Sequence, residues 1–143
     1  MKEYKTIKET EEEITDEFSL FDNWEEKYEY IIDLGKKLEP LDDKFKVGEN
    51  IIKGCQSTVW LTSEFRGGKV FYKADSDAII VKGLVSMLIK VLSGHEPDEI
   101  LDAKLDFIKD IGMMTHLAQT RSNGLLAMVK QIKNYALAYK SVN

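Results

Sequence analysis

Residues 57–74 read STVWLTSEFRGGKVFYKA, and the fold turns on them. Two β-branched and aromatic runs, 57–65 and 69–74, flank Arg66-Gly67-Gly68. Two glycines between such runs signal a hairpin, because glycine takes the positive φ that tight turns between antiparallel strands require. Just upstream, Ile51-Ile52 is placed to supply a third strand. A small antiparallel sheet of about three strands is therefore expected.

Both flanks carry helical periods. Residues 6–21 place Ile7, Ile14, Phe18 and Phe21 near helical spacing. Asp22 or Asn23 is a suitable cap for a second helix over 24–39, stopped by Pro40, with Trp24, Tyr28, Ile31, Ile32 and Leu38 on one broad face. Residues 40–50 read as a polar loop. Past the hairpin, Asp75, Ser76 and Asp77 are candidate caps for a helix from Ala78 to Ser93, which Gly94 stops. That helix is apolar nearly all round and belongs at the buried centre. Pro97 marks the first turn of a short helix. Residues 105–124 read as another short helix followed by a loop, with Asn123-Gly124 opening the last helix, Leu125 to Lys140. Leu125, Val129, Ile132, Ala136 and Tyr139 line the inner face of that helix. Helices, then strands, then helices make an α+β chain, one small sheet with a face covered by helices. Residues 1–143 suit a single domain.

Composition narrows the function. At 43% apolar and 31% charged residues, the chain is globular rather than disordered. Its longest apolar run, 78–92, is broken by Lys82, Gly83 and Lys90 and is too short to span a bilayer. The N-terminus has no apolar signal core, so a cytoplasmic protein with no membrane role is expected. The net charge of −5 is uneven: residues 1–30 hold eleven acidic and four basic side chains, −7, and the remainder is about +2. That sign disfavours nucleic acid. The acidic end is either a solvated helix face or a docking surface for a basic partner.

The chain has one cysteine, Cys55, in Lys53-Gly54-Cys55-Gln56-Ser57. One cysteine forms no internal disulfide, and one Cys with two distant His makes a poor metal site, so none is expected. Two readings of Cys55 stand. It is a small buried apolar residue, or it is a reactive thiol in a glycine-flanked turn, where rigid elements commonly hold functional groups. Apolar neighbours raise a thiol's pKa unless a cation offsets them. The candidate cations are His116 and Arg121, in the loop before the last helix. His116 is either structural or a proton-transfer group; Arg121 is either a surface ion-pair partner or functional. Cys55 with His116 is also the pair that a Cys–His hydrolase needs, although the spacing is not diagnostic and no orienting third group stands out. His95, after a helix end, reads as a C-terminal cap or a surface residue. No phosphate-binding loop is present, and no motif indicates an organic cofactor.

Four blocks in order resemble the SufE family of sulfur acceptors: NWEEKYEYIIDLGKKLEPL at 23–41, IIKGCQSTVWL at 51–61, ADSDAIIVKGLVSMLI at 74–89 and THLAQTRSNGLLAMVKQI at 115–132. The first twenty residues show no specific match, and the chain reads LAQTRSNG where the family tends to have Thr-Pro-Ser-Arg. The resemblance implies the α+β fold shared with IscU/NifU scaffold proteins. It implies a sulfur carrier and desulfurase activator for iron–sulfur cluster assembly, rather than a stand-alone enzyme. Cys55 would take persulfide sulfur from a SufS-type cysteine desulfurase, whose pyridoxal phosphate belongs to that partner; this chain needs no cofactor. A SufB-type scaffold would receive the sulfur downstream. The family's cysteine sits at a loop tip, tucked against an apolar cavity. Carried over, Gly54, Gln56 and Ser57 shape the loop, and His116 and Arg121 neighbour the acceptor. A CsdE-type carrier in a related sulfur pathway is the alternative within the resemblance.

Overall fold

The computed structural model describes residues 5–141. The sequence readings that touch residues 1–4 and 142–143, including the character of the extreme N-terminus, lie outside that range. Helix α1 (Ile7–Ser19) starts at a reciprocal cap: Glu9 N donates to Thr6 Oγ1 and Thr6 N donates to Glu9 Oε1, both at 3.0 Å. It buries Thr10, Ile14 and Phe18, leaves Glu9, Glu12 and Asp16 exposed, and holds Glu11 half-buried. Helix α2 (Trp24–Lys36) is capped by Asn23, whose side chain accepts from Glu26 N at 2.9 Å. It ends before the expected Glu39. Its buried positions are Ile31 and Gly35, with Leu34 and Leu38 packed on the core, whereas Ile32 is only half-buried.

The hairpin forms as the glycines require. Strands β1 (Val59–Arg66) and β2 (Lys69–Ser76) pair antiparallel from Val59↔Ser76 to Arg66↔Lys69. Gly67 and Gly68 turn the chain at φ 57° and 81°, both in the left-handed region of a two-residue hairpin turn. Val59, Leu61, Val70, Tyr72 and Ala74 make the buried face. The expected third strand is reduced to an isolated bridge, Ile51↔Trp60, with Ile52 N donating to Val59 O at 2.9 Å. A 3-10 turn at Gly48–Asn50 precedes it and Gly54, at φ 97°, diverts the chain after it, so only two residues run extended. The architecture is α+β with a two-stranded sheet.

Helix α3 (Ile79–Leu92) fills the centre, burying among others Val81, Leu84, Val85, Met87, Leu88, Val91 and Leu92. It presses on α2 at two glycines. A Cβ on Gly83 would lie 2.1 Å from the Ile31 carbonyl oxygen, and one on Gly35 would lie 2.8 Å from Gly83 N. Side chains at either position would hold the helices apart. The candidate caps of α3 do other work. Ala78 occupies the N-cap, while Asp75 lies in β2 and bridges Lys46 (3.0 Å) and Lys82 (3.2 Å). Burial opposes the charge on Asp75, but hydrogen bonds from Lys46, the Ser76 amide and Lys82 outweigh it and hold the carboxyl below its ordinary value.

The last third is more helical than expected. Short helices α4 (Pro97–Asp102), α5 (Asp106–Asp110) and α6 (Met113–His116) lead to α7 (Gln119–Ser141). Helix α7 begins six residues before the expected Leu125, so Arg121, Asn123 and Gly124 are helical rather than loop. Leu125, Ile132 and Ala136 are buried as anticipated, joined by Met128; Tyr139 is half-buried and stacks on Phe65 at 5.0 Å. His95 is neither a cap nor a surface residue: it is buried, and its carbonyl accepts from Val70 N at 2.9 Å along the free edge of β2. Burial pushes its imidazole below the ordinary histidine value.

Candidate functional site

Cys55 lies between the Ile51 bridge and β1, in a segment tied at both ends. Ile52 N donates to Val59 O on one side. On the other, Thr58 N donates to Asp77 Oδ1 at 3.1 Å and Ser76 Oγ donates to Thr58 O at 2.8 Å. Asp77 and Ser76, expected to cap α3, thus anchor the exit of the cysteine loop. Gly54 bends the loop in the left-handed region, where a side chain is strained, and its Cβ position lies 3.2 Å from Ala127 Cβ on α7.

The thiol is half-buried and opens into a cavity of about 250 Å³. The walls are Cys55, Gln56 and Ser57 from the loop, Val81 from α3, and Ala118, Thr120, Arg121, Gly124 and Met128 from the start of α7. Sγ lies 3.5 Å from the Gly124 carbonyl oxygen, to which the S–H donates. A Cβ on Gly124 would stand 3.6 Å from Sγ, so glycine there leaves the helix backbone bare against the cysteine. Burial pushes the Cys55 thiol up, which keeps it protonated and quiet at neutral pH in this arrangement. Arg121, an exposed residue, lines the same cavity and forms no ion pair among the described residues.

The structure therefore brings Gly54, Cys55, Gln56, Ser57 and Arg121 together. It places His116 elsewhere. The His116 ring stacks on Trp24 with centroids 4.2 Å apart, and Nδ1 lies 3.0 Å from Gly112 O. His116 is not among the cavity walls, so no Cys–His pair of the hydrolase kind is assembled. Sequence reading missed Ala118, Thr120, Gly124 and Met128 as walls. The sequence held no separate signal for Gly124, because Asn123-Gly124 reads as a helix entry rather than as a glycine inside a helix. A larger groove of about 410 Å³ between Phe45, Arg66, Phe71 and Lys73 on the outer side of the hairpin holds no thiol or imidazole. Among the described residues, no group of three or more His, Cys, Asp or Glu side chains is arranged to hold a metal ion, and no helix is long and apolar enough to cross a membrane.

Comparison with known proteins covers nearly all of this architecture. The family model described as "SufE: Fe-S metabolism associated domain" matches residues 12–136. A SufE-like protein of Rhizobium meliloti is 38% identical over 131 residues, 87% of this chain and 93% of that protein. A SufE-like protein of Synechocystis is 38% identical over 127 residues, covering 89% and 80%. The chloroplastic/mitochondrial SufE-like protein 1 of Arabidopsis thaliana is 44% identical over 112 residues, 78% of this chain but 30% of that longer protein. In fold, a hypothetical protein from Thermus thermophilus solved in solution superposes with a TM-score of 0.76 at 19% identity, over 92% of this chain and 96% of that one.

Proposed function

The chain belongs to the SufE family, whose domain is associated with iron–sulfur metabolism, and on that premise we propose that Cys55 is a sulfur acceptor. The observation that carries the reading is the seat of the thiol: the chain's one cysteine, half-buried beside Arg121 at a two-ended loop. The donor is the persulfide of a pyridoxal-phosphate-dependent cysteine desulfurase of the SufS type. The Cys55 thiolate attacks the terminal sulfur of that persulfide. A bond forms between Sγ and the sulfane sulfur, the donor's S–S bond breaks, and its electron pair leaves with the donor cysteine as thiolate. No net oxidation occurs, and the Cys55 proton passes to solvent or to the departing thiolate. Removing the persulfide frees the desulfurase for another turn, so the acceptor also stimulates its partner.

The geometry supports each requirement of that step. With no second cysteine in the sequence, a Cys55 persulfide has no internal thiol to cyclise with and release sulfide. The cavity shelters a persulfide from bulk solvent, and Arg121 lines the same cavity. A SufB-type scaffold then takes the sulfur onward.

Incubation with the cognate desulfurase and free cysteine, read by intact mass spectrometry, is expected to add about one sulfur atom per chain in wild type and none in Cys55→Ser. Full persulfidation of Cys55→Ser would remove the assignment. A pull-down that returns a cysteine desulfurase other than the SufS type would move the protein to the CsdE branch while leaving the chemistry of Cys55 unchanged.

A further inference from the structure

Helix α6 and the step into α7 are held to α2 by an aromatic contact that uses none of the cavity residues. Trp24, the first residue of α2, stacks on His116 with planes 15° apart. One turn further, the Tyr28 hydroxyl donates to the His116 carbonyl. Lys27 Nζ lies 5.0 Å from the centroid of the indole. The imidazole is fixed from the other side as well. Nδ1 and Thr115 Oγ1 lie 3.0 and 2.9 Å from Gly112 O, and since a carbonyl only accepts, Nδ1 carries its proton there. Gly112 takes φ 75°, and its Cβ position is 3.5 Å from both the indole and His116 Nδ1.

The cavity wall begins two residues later. Ala118, Thr120, Arg121 and Gly124 face the thiol, and the Gly124 carbonyl takes its hydrogen bond. Leu117 and Ser122 anchor the same segment on its buried side. The Trp24–His116 contact anchors it on the solvent side, where His116 is exposed and a docking protein can touch it. The segment thus has a deep attachment and an accessible one.

We propose that the Trp24–His116 stack is a latch that holds the start of α7 over Cys55, and that releasing it exposes the thiol. His116 is then a positioning residue, acting through the α6–α7 segment rather than on sulfur. The use of the latch rests on the acceptor reading; its mechanics belong to the fold. An aromatic pair of this kind shifts a local opening equilibrium by about two- to tenfold. Alkylation through an opened state scales with the open fraction, so the same factor applies to the rate.

The test is the rate of iodoacetamide modification of Cys55 across a pH series in wild type, Trp24→Leu, His116→Ala and His116→Phe, with backbone hydrogen exchange on the same samples. Trp24→Leu and His116→Ala are expected to react about two- to tenfold faster, with an apparent thiol pKa lowered as burial is relieved. His116→Phe, which keeps a flat ring on the indole, is expected to return to within about twofold of wild type. Faster exchange is expected over 113–124 and not across the chain. Wild-type rates in both disruptive variants would overturn the latch, as would exchange rising uniformly. No partner enters the assay, so absent persulfide transfer in wild type would remove the acceptor reading and leave the latch result standing.

Discussion

Alanine at Gly83 is the sharpest test of how α2 and α3 meet. Its Cβ would stand 2.1 Å from the Ile31 carbonyl oxygen, 2.6 Å from Ile31 Cγ2 and 2.7 Å from Ile31 C, where ordinary contact begins at 3.4 Å. The two closest backbone atoms belong to a helix, so no rotamer change relieves them, and the helices must part by about 1 Å. Overpacking a core costs about 1–3 kcal/mol and more against rigid backbone, so about 4 kcal/mol is apt here. Alanine's better helix propensity returns about 1 kcal/mol. The net loss is about 3 kcal/mol, or about 10 °C in melting temperature for a chain of this size. Urea unfolding followed by circular dichroism measures it. Gly35→Ala, with its closest atom 2.8 Å away, is expected to lose less; Gly48→Ala, with nothing within 4 Å, is expected to be close to neutral. A loss under about 1 kcal/mol in Gly83→Ala with an unchanged m-value would refute the tight crossing.

Two further outcomes follow from the thiol's surroundings and from α1. Gly124→Ala is expected to fold and gain up to about 1 kcal/mol from helix propensity. Its new methyl would sit 3.6 Å from Sγ, at ordinary contact, and would slow Cys55 alkylation by crowding the approach. Glu11 has one carboxylate oxygen buried without a hydrogen-bond partner, and burial together with Asp106 and Asp110 pushes its carboxyl above the ordinary value. A raised folded pKa means that the stability it contributes is fully present below its unfolded value and is lost as pH rises through its folded one. Glu11→Gln is therefore expected to melt higher than wild type at neutral pH and to flatten the stability profile across that acidic window. A lower melting temperature at pH 7 would contradict the assignment.

Local chemistry written in adjacent residues was legible in the sequence. Gly67-Gly68 between two β-rich runs fixed the hairpin, and an all-round apolar pattern put α3 at the centre. The Gly-Cys-Gln-Ser turn located the thiol. Features made by distant residues were not legible. Ile51-Ile52 looks like any short strand; the neighbouring 3-10 turn at Gly48–Asn50 and Gly54 cut it to one bridge, and the short-range exception lay in backbone turns that an apolar pattern does not report. Ser122-Asn123-Gly124 resembles a turn; it is helical because Ser122 is buried and Gly124 packs directly on Cys55. His116 carried the right chemistry for the cavity, yet stacking on Trp24, far away in sequence, takes it out of reach. His95 acts through its backbone, which no side-chain pattern reveals. Gly83, by contrast, did leave a mark: a glycine inside an apolar helix is costly unless something needs the space.

The tie between Ile52 N and Val59 O has a consequence for how far the cysteine travels. The intervening residues 53–58 form a handle with both ends bolted down, not a free arm. With about three residues from either anchor to the tip, the thiol's reach is limited to about 10 Å. A swinging-arm carrier ferries its cargo between distant stations on one assembly; a handle of this length cannot. Any exchange at Cys55 must bring the whole protein body against each partner in turn, so the throughput of such a carrier would be set by the making and breaking of contacts between proteins rather than by motion of the loop.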